Sequence, residues 1–268
     1  MPVLPAATRP PVRFWVIAIM ALGVLPQISS AGAQPILSHP ESYTEDILNF
    51  EQTKAPRWLV ETIVRAAQVT GVDPAYMMAL ADKESSLLPG RKARTSSAEG
   101  LFQFLETTWI EVLRRFGAKH GFSAAADAIG MVRGRATVTH NKDRDWILGL
   151  RRDPYLSALM TGEMVNTHRQ LLAGKVARDP SFTELYIAHL MGVRGATRLV
   201  ELLGSTPRRS APRAFPRSAK ANRSLFYGTI QPAQSSKTAR PKALSIAELH
   251  GRLDAMIDQR LARYLALR

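Results

Sequence analysis

Apolar residues recur at helical steps through most of this chain. After a polar stretch, Leu59, Val60, Ile63, Val64 and Ala67 repeat every three or four positions between Pro56 and Gly71, a favoured first-turn residue and a favoured stop, which predicts a helix. Asp73 and Pro74 supply an N-cap and a first-turn proline for a second helix through Tyr76, Met77, Leu80 and Glu84 to about Leu87, where Pro89 and Gly90 end it. Further helical patterns cover residues 105–116, 123–129, 153–172, 181–191 and 196–203. Residues 91–100 are polar and basic and read as a surface loop or a short irregular hairpin, and residues 131–150 mix Gly, Arg and Thr with Trp146 and Ile147 and fit neither period, as an insert lining a groove would. No strand alternation and no internal repeat stands out, so the expected fold class is mostly α.

The second helix carries the strongest chemical signal. Met77, Leu80, Ala81 and Glu84 share one face, which sets a carboxyl on an apolar stripe. An apolar surrounding strips hydration from a charged carboxylate and favours the neutral acid, the form that protonates a leaving oxygen. A paired or half-exposed carboxylate at a helix end is the plainer alternative. Asp82 points to another side of the helix, toward solvent or the neighbourhood of Lys83.

Composition narrows the chemistry. With no cysteine there is no disulfide framework, thiolate metal site or cysteine nucleophile, and the six histidines are dispersed without a His-Glu-x-x-His pattern, so neither metal nor cofactor is expected. The net charge of +14 calls for an anionic partner. Location chooses among such partners. Arg9 and Arg13 precede an apolar run of about a dozen residues, against the roughly 20 that a bilayer crossing needs, and Ala31-Gly32-Ala33 then offers a small-x-small cleavage site. Residues 1–33 read as a signal peptide, or as an uncleaved N-terminal anchor, and the chain as periplasmic. That disfavours nucleic acid and favours the cell wall or an anionic membrane surface.

The ends divide accordingly. A leader covers residues 34–55 and the main domain residues 56–204. Residues 205–243 hold nine Lys or Arg and no acid, with Phe215, Phe226 and Tyr227 isolated among Pro and Ser, and read as a basic, flexible linker. In the last segment, residues 244–268, Ile246, Leu249, Leu253, Ile257 and Leu261 form an amphipathic stripe that docks on the domain, on a partner or on a membrane.

Three short motifs stand in order along the main domain: Glu84-Ser85, then Gly100-Leu101-Phe102-Gln103, then Ala188-His189-Leu190-Met191-Gly192. This order, behind a signal peptide, resembles the soluble lytic transglycosylase family, whose members carry Glu-Ser, Gly-Leu-Met-Gln and Ala-Tyr-Asn-x-Gly; the resemblance covers residues 59–203. It implies a lysozyme-like helical catalytic domain acting on peptidoglycan glycan strands, with Glu84 as the single acid and base, Ser85 orienting it or the substrate, and Gln103 in the saccharide groove. Two departures matter. Phe102 replaces a methionine, and His189 and Leu190 take the Tyr and Asn positions, leaving Tyr186, one turn earlier, to serve as the phenol near Glu84. Phe102 and His189 are candidate groove residues, each with a plainer reading as core or as a helix-end histidine. Two alternatives remain open: a hydrolytic muramidase, in which Glu99 or Glu106 activates water, and a non-catalytic peptidoglycan-binding or secretion-associated protein.

Overall fold

A computed structural model describes residues 46–228 and 241–268. The expected export segment, most of the leader and part of the basic linker lie outside the described residues. The described chain is mostly helical. It opens with a hairpin of β1 (Ile47–Phe50) and β2 (Thr53–Pro56), paired antiparallel with Phe50 opposite Thr53.

Helix α1 (Arg57–Thr70) buries Leu59, Val60, Ile63, Ala66 and Ala67, the face its periodicity marked out, and ends at Gly71. Helix α2 (Pro74–Ser85) starts where Asp73 accepts a hydrogen bond from the Tyr76 N–H at 2.9 Å. Every residue of α2 from Ala75 to Ala81 is buried. The apolar stripe read from Met77, Leu80 and Ala81 is therefore one side of a helix enclosed on all sides, and Glu84 marks the turn where α2 emerges from the core. The helix is stopped by left-handed backbone at Ser86 (φ 56°) and Leu87 (φ 60°) before Pro89 is reached.

Helices α3 (Glu106–Phe116) and α4 (Ser123–Asp127) follow. The segment over residues 131–150 that sequence left unassigned belongs to a second hairpin, β3 (Ile129–Val132) with β4 (Arg135–Val138), and to helix α5 (Asn141–Gly149). The hairpin turns through Arg133 (φ 48°) and Gly134 (φ 76°), a two-residue loop with both residues left-handed, and only Ile129 and Val138 at its far end are buried. With so little of each strand facing the core, no alternation was there to be read.

The long helices α6 (Pro154–Val176) and α7 (Phe182–Ser205) complete the body, α6 packing on both α1 and α7. Helix α7 is broken at Gly192 (φ 74°, ψ 164°), a conformation only glycine adopts freely, so it consists of two segments meeting between residues 191 and 193.

Three short helices, α8 (Ala211–Ala214), α9 (Pro216–Ala221) and α10 (Arg223–Phe226), correct the reading of residues 205–228 as flexible linker. Phe226 is fully buried, Phe215 nearly so, and both join the main core with Ala211 and Ala219. Isolated apolar residues sufficed because one large neighbour receives them. That neighbour is α11 (Ile246–Tyr264), whose Arg252 donates to the carbonyls of Ser224 at 2.9 Å and Tyr227 at 2.8 Å. Ile246, Leu249, Leu253, Ile257 and Leu261 are buried, and α11 packs against α2 and α7, so the amphipathic stripe docks on the domain. Among the described residues no helix is long and apolar enough to cross a membrane.

Candidate active site

Glu84 projects from the last turn of α2 with 18% of its side chain exposed, the degree of access that a carboxyl needs to meet a substrate while resting against the core. The first segment of α7 brings His189 to it, Nε2 standing 3.8 Å from Oε1. Tyr186, one turn earlier on α7, is buried with its ring 6.2 Å from the imidazole and 22° from parallel to it. Gly192 ends this segment just after the Ala-His-Leu-Met run, so the kink sets where His189 stands relative to α2.

Below these groups lies a second tier. Burial, and next the negative field of Glu84, push the Tyr186 phenol above its ordinary range. The Tyr76 hydroxyl, on α2 itself, is raised first by burial and then by Tyr186 and Glu84, while Arg169 opposes the shift. Both phenols are thus neutral hydroxyl groups in the field of one carboxylate. His168 on α6 is lowered to about 4, first by burial and then by His189, and is an uncharged imidazole at neutral pH.

Tyr76 Oη, Arg169 Nε and His189 Nδ1 are buried without a hydrogen-bond partner. Each such group costs about 1–3 kcal/mol of lost hydration. Buried polar groups in folded proteins are overwhelmingly paired; His189 Nδ1 and Tyr76 Oη, in the field of Glu84, are exceptions, and so are Arg260 Nε and Tyr264 Oη beside Asp82. Sequence reasoning missed His168 and Arg169. The signal available was the polar run Asn166-Thr167-His168-Arg169 inside an otherwise apolar helix.

The remaining candidates fall elsewhere. Ser85 is fully buried, its hydroxyl donating to the Ala81 carbonyl at 3.1 Å and accepting from the Leu88 N–H at 3.2 Å; it builds the turn that presents Glu84 and has no access to a substrate. Phe102 is 1% exposed and belongs to the core, which corrects its reading as a groove residue. Phe104 and Trp109 are likewise core, with the Trp109 indole N–H donating to the Ile147 carbonyl at 2.8 Å. Gln103, half-buried with φ 51°, donates through Nε2 to the carbonyls of Arg91 and Gly100, both at 2.9 Å, which leaves its amide oxygen as the group available to a ligand. Gly100 is required by close approach: a Cβ there would stand 2.0 Å from the Arg151 carbonyl oxygen.

The other acids of this region are taken. Glu99 is buried and held by Arg151 at 2.8 Å and Arg152 at 3.0 Å, and Glu106 by Arg144 at 2.6 Å. Residues 91–100 form a short irregular hairpin and not a surface loop, Lys92 bridging to Glu99, and their end carries a buried ion pair. Asp82, expected to face solvent, is 11% exposed and accepts from Arg263 at 3.0 Å, with Arg260 at 3.8 Å. No protein-family model matches the chain. What distinguishes Glu84 comes from its own surroundings: a carboxylate with no arginine, facing a histidine across 3.8 Å, above neutral phenols and an uncharged imidazole.

Proposed function

We propose that this chain is a peptidoglycan lytic transglycosylase with a lysozyme-like helical domain, exported by its N-terminal segment, with Glu84 as its one acid and base. The observation that carries this reading is the isolation of Glu84: Glu99, Glu106 and Asp82 are engaged by arginines, and Glu84 alone of these four is not. The three motifs in order and the mostly helical body support it.

In this mechanism the protonated Glu84 gives its proton to the oxygen linking N-acetylmuramic acid to N-acetylglucosamine. The bond from the anomeric carbon to that oxygen breaks, and the acetamido group of the muramic residue covers the developing positive charge. The Glu84 carboxylate then takes the proton from the muramic C6 hydroxyl as that oxygen bonds to the anomeric carbon, which closes a 1,6-anhydro ring and restores the acid. His189 lies beside the carboxylate through both steps as a positioning group, and Tyr186 backs it. A hydrolytic outcome would follow if water replaced the C6 hydroxyl, with Glu84 or a second acid as its base; Glu99 and Glu106, the second acids considered, already neutralise arginines.

The test is release of soluble fragments from purified peptidoglycan by the protein and by Glu84→Gln, with thermal unfolding run on both. Release by the first alone, at equal stability, is expected. Equal release by both would contradict the assignment, and no release by either, with glycan binding retained, would favour a non-catalytic binding protein.

A further inference from the structure

The β3–β4 hairpin carries its apolar face past the edge of the body. Its register sets Ile129 opposite Val138 and Met131 opposite Ala136, so these four residues share one face, while Gly130, Val132, Arg135 and Thr137 share the other. Ile129 and Val138 are buried and Ala136 is half-buried, whereas at the tip Met131 and Val132 are 52% and 56% exposed. From Ile129 to Val132 the strand advances about 10 Å, at roughly 3.4 Å per residue, so the tip stands clear of the core that holds its base.

Two features of this tip select what covers it. Among the exposed large apolar side chains of the described residues, Met131 and Val132 are the pair adjacent in sequence, and neighbours on a strand point to opposite faces. A rigid partner, whether a protein surface or a sugar ring, covers one face of a hairpin and leaves the other in water. A fluid bilayer closes around both. The second feature is the sign of the charge at the turn. Arg133 and Arg135 are exposed beside the apolar pair, and no acid occurs between Asp127 and Asp143. Arginine stems lie along apolar surface and keep their charged heads at the level of the phosphates. Apolar groups of peripheral proteins settle about 5–10 Å into the boundary between headgroups and acyl chains, a depth within reach of this tip.

We propose that the β3–β4 tip, residues 131–135, is a membrane-docking finger that inserts Met131 and Val132 into an anionic lipid surface and sets Arg133 and Arg135 against its headgroups. The finger acts independently of the reaction proposed for Glu84.

The test uses residues 34–268, which keep every described residue and leave out the apolar run near the N-terminus. The chain has no cysteine, so Val132→Cys gives a single attachment point for an environment-sensitive fluorophore, with Gln170→Cys, at an exposed position on α6, as the control. Vesicles of equal parts phosphatidylglycerol and phosphatidylcholine should shift the emission at position 132 to the blue and leave that at 170 unchanged, and pure phosphatidylcholine should shift neither. In sedimentation with the mixed vesicles, Met131→Ser with Val132→Ser should weaken binding at least about tenfold. Arg133→Ser with Arg135→Ser should also weaken it about tenfold or more, at about fivefold per cation. Removing two exposed cations elsewhere, Arg208→Ser with Arg209→Ser, should change it less than about twofold. Unshifted emission at position 132, binding that survives loss of the apolar pair, or equal weakening by the Arg208 and Arg209 pair overturns the inference in favour of diffuse attraction to a basic protein. A fall in peptidoglycan release by the apolar pair without vesicles also overturns it, and would place the tip on glycan. Thermal unfolding, expected to be unchanged because every substituted side chain is exposed, separates loss of docking from loss of fold. A protein that releases nothing from peptidoglycan defeats the proposed activity, while the vesicle measurements still read the finger by itself.

Discussion

Asp82 and Glu84 stand two residues apart on one helix and meet opposite surroundings. Asp82 faces α11 and is closed in by Arg263 and Arg260, with side-chain exposures of 11%, 13% and 22%. Glu84 faces α7, where it finds a histidine at 3.8 Å instead of a guanidinium. A partly enclosed carboxylate held by two guanidinium groups ties α2 to α11. An under-partnered carboxylate at the mouth of the core is available to a substrate proton. The back of α2 is thus tied to α11, while its front carries the chemistry on the proposed reading, and burial alone would not separate the two, because both residues are only partly enclosed.

The largest expected effect sharpens the front. Glu84→Gln should cut peptidoglycan turnover by about 10²–10⁴-fold, the usual contribution of a general acid and base, with the melting temperature unchanged. On the α11 side the effect should appear in stability. Phe226→Ala, which empties a fully buried site beside α11, should cost about 3–5 kcal/mol in chemical denaturation. A loss under about 1 kcal/mol would restore the reading of that segment as a loose tail. Asp82→Ala should cost about 1–3 kcal/mol, since it removes the carboxylate between Arg263 and Arg260 while Arg263 keeps Glu51 at 3.4 Å, and should leave turnover near normal at temperatures where the protein stays folded. A collapse of activity in folded Asp82→Ala would erase the distinction between the two faces.

Smaller effects probe the tier around Glu84. His189→Gln should lower kcat by about tenfold with KM little changed, as expected of a residue that positions the acid without holding the glycan. His168 adds a pH dependence of known sign. Its folded pKa is about 4 against about 6.5 for an unperturbed histidine, so between those values the unfolded chain binds a proton that the folded chain does not. Stability should therefore fall as pH is lowered from about 6.5 toward 4, and His168→Gln should flatten that part of the curve.

The sequence revealed most where one local rule decided the outcome. Asp73-Pro74 and the apolar steps of α1 were legible because caps and helical periodicity act within a few residues. Glu84, Tyr186 and His189 were legible through motif order, and the division of α7 through Gly192. What escaped depended on distant neighbours. Ser85 and Phe102 looked like substrate contacts and are a turn and a core residue, because only the packed structure shows which of two adjacent polar or apolar positions faces the cleft. Asp82 looked solvent-facing because its arginines lie some 180 positions away in sequence. Phe226 looked isolated for the same reason, its site being completed by α11. His168 carried a signal, a polar run within an apolar helix, yet nothing local said that α6 would bring it beside His189.

The most direct measurement is mass spectrometry of the chain ends produced from purified peptidoglycan by the protein and by Glu84→Gln. The account predicts 1,6-anhydromuramic ends from the former and none from the latter. Reducing muramic ends would contradict it, because they form when water, and not the muramic C6 hydroxyl, attacks the anomeric carbon.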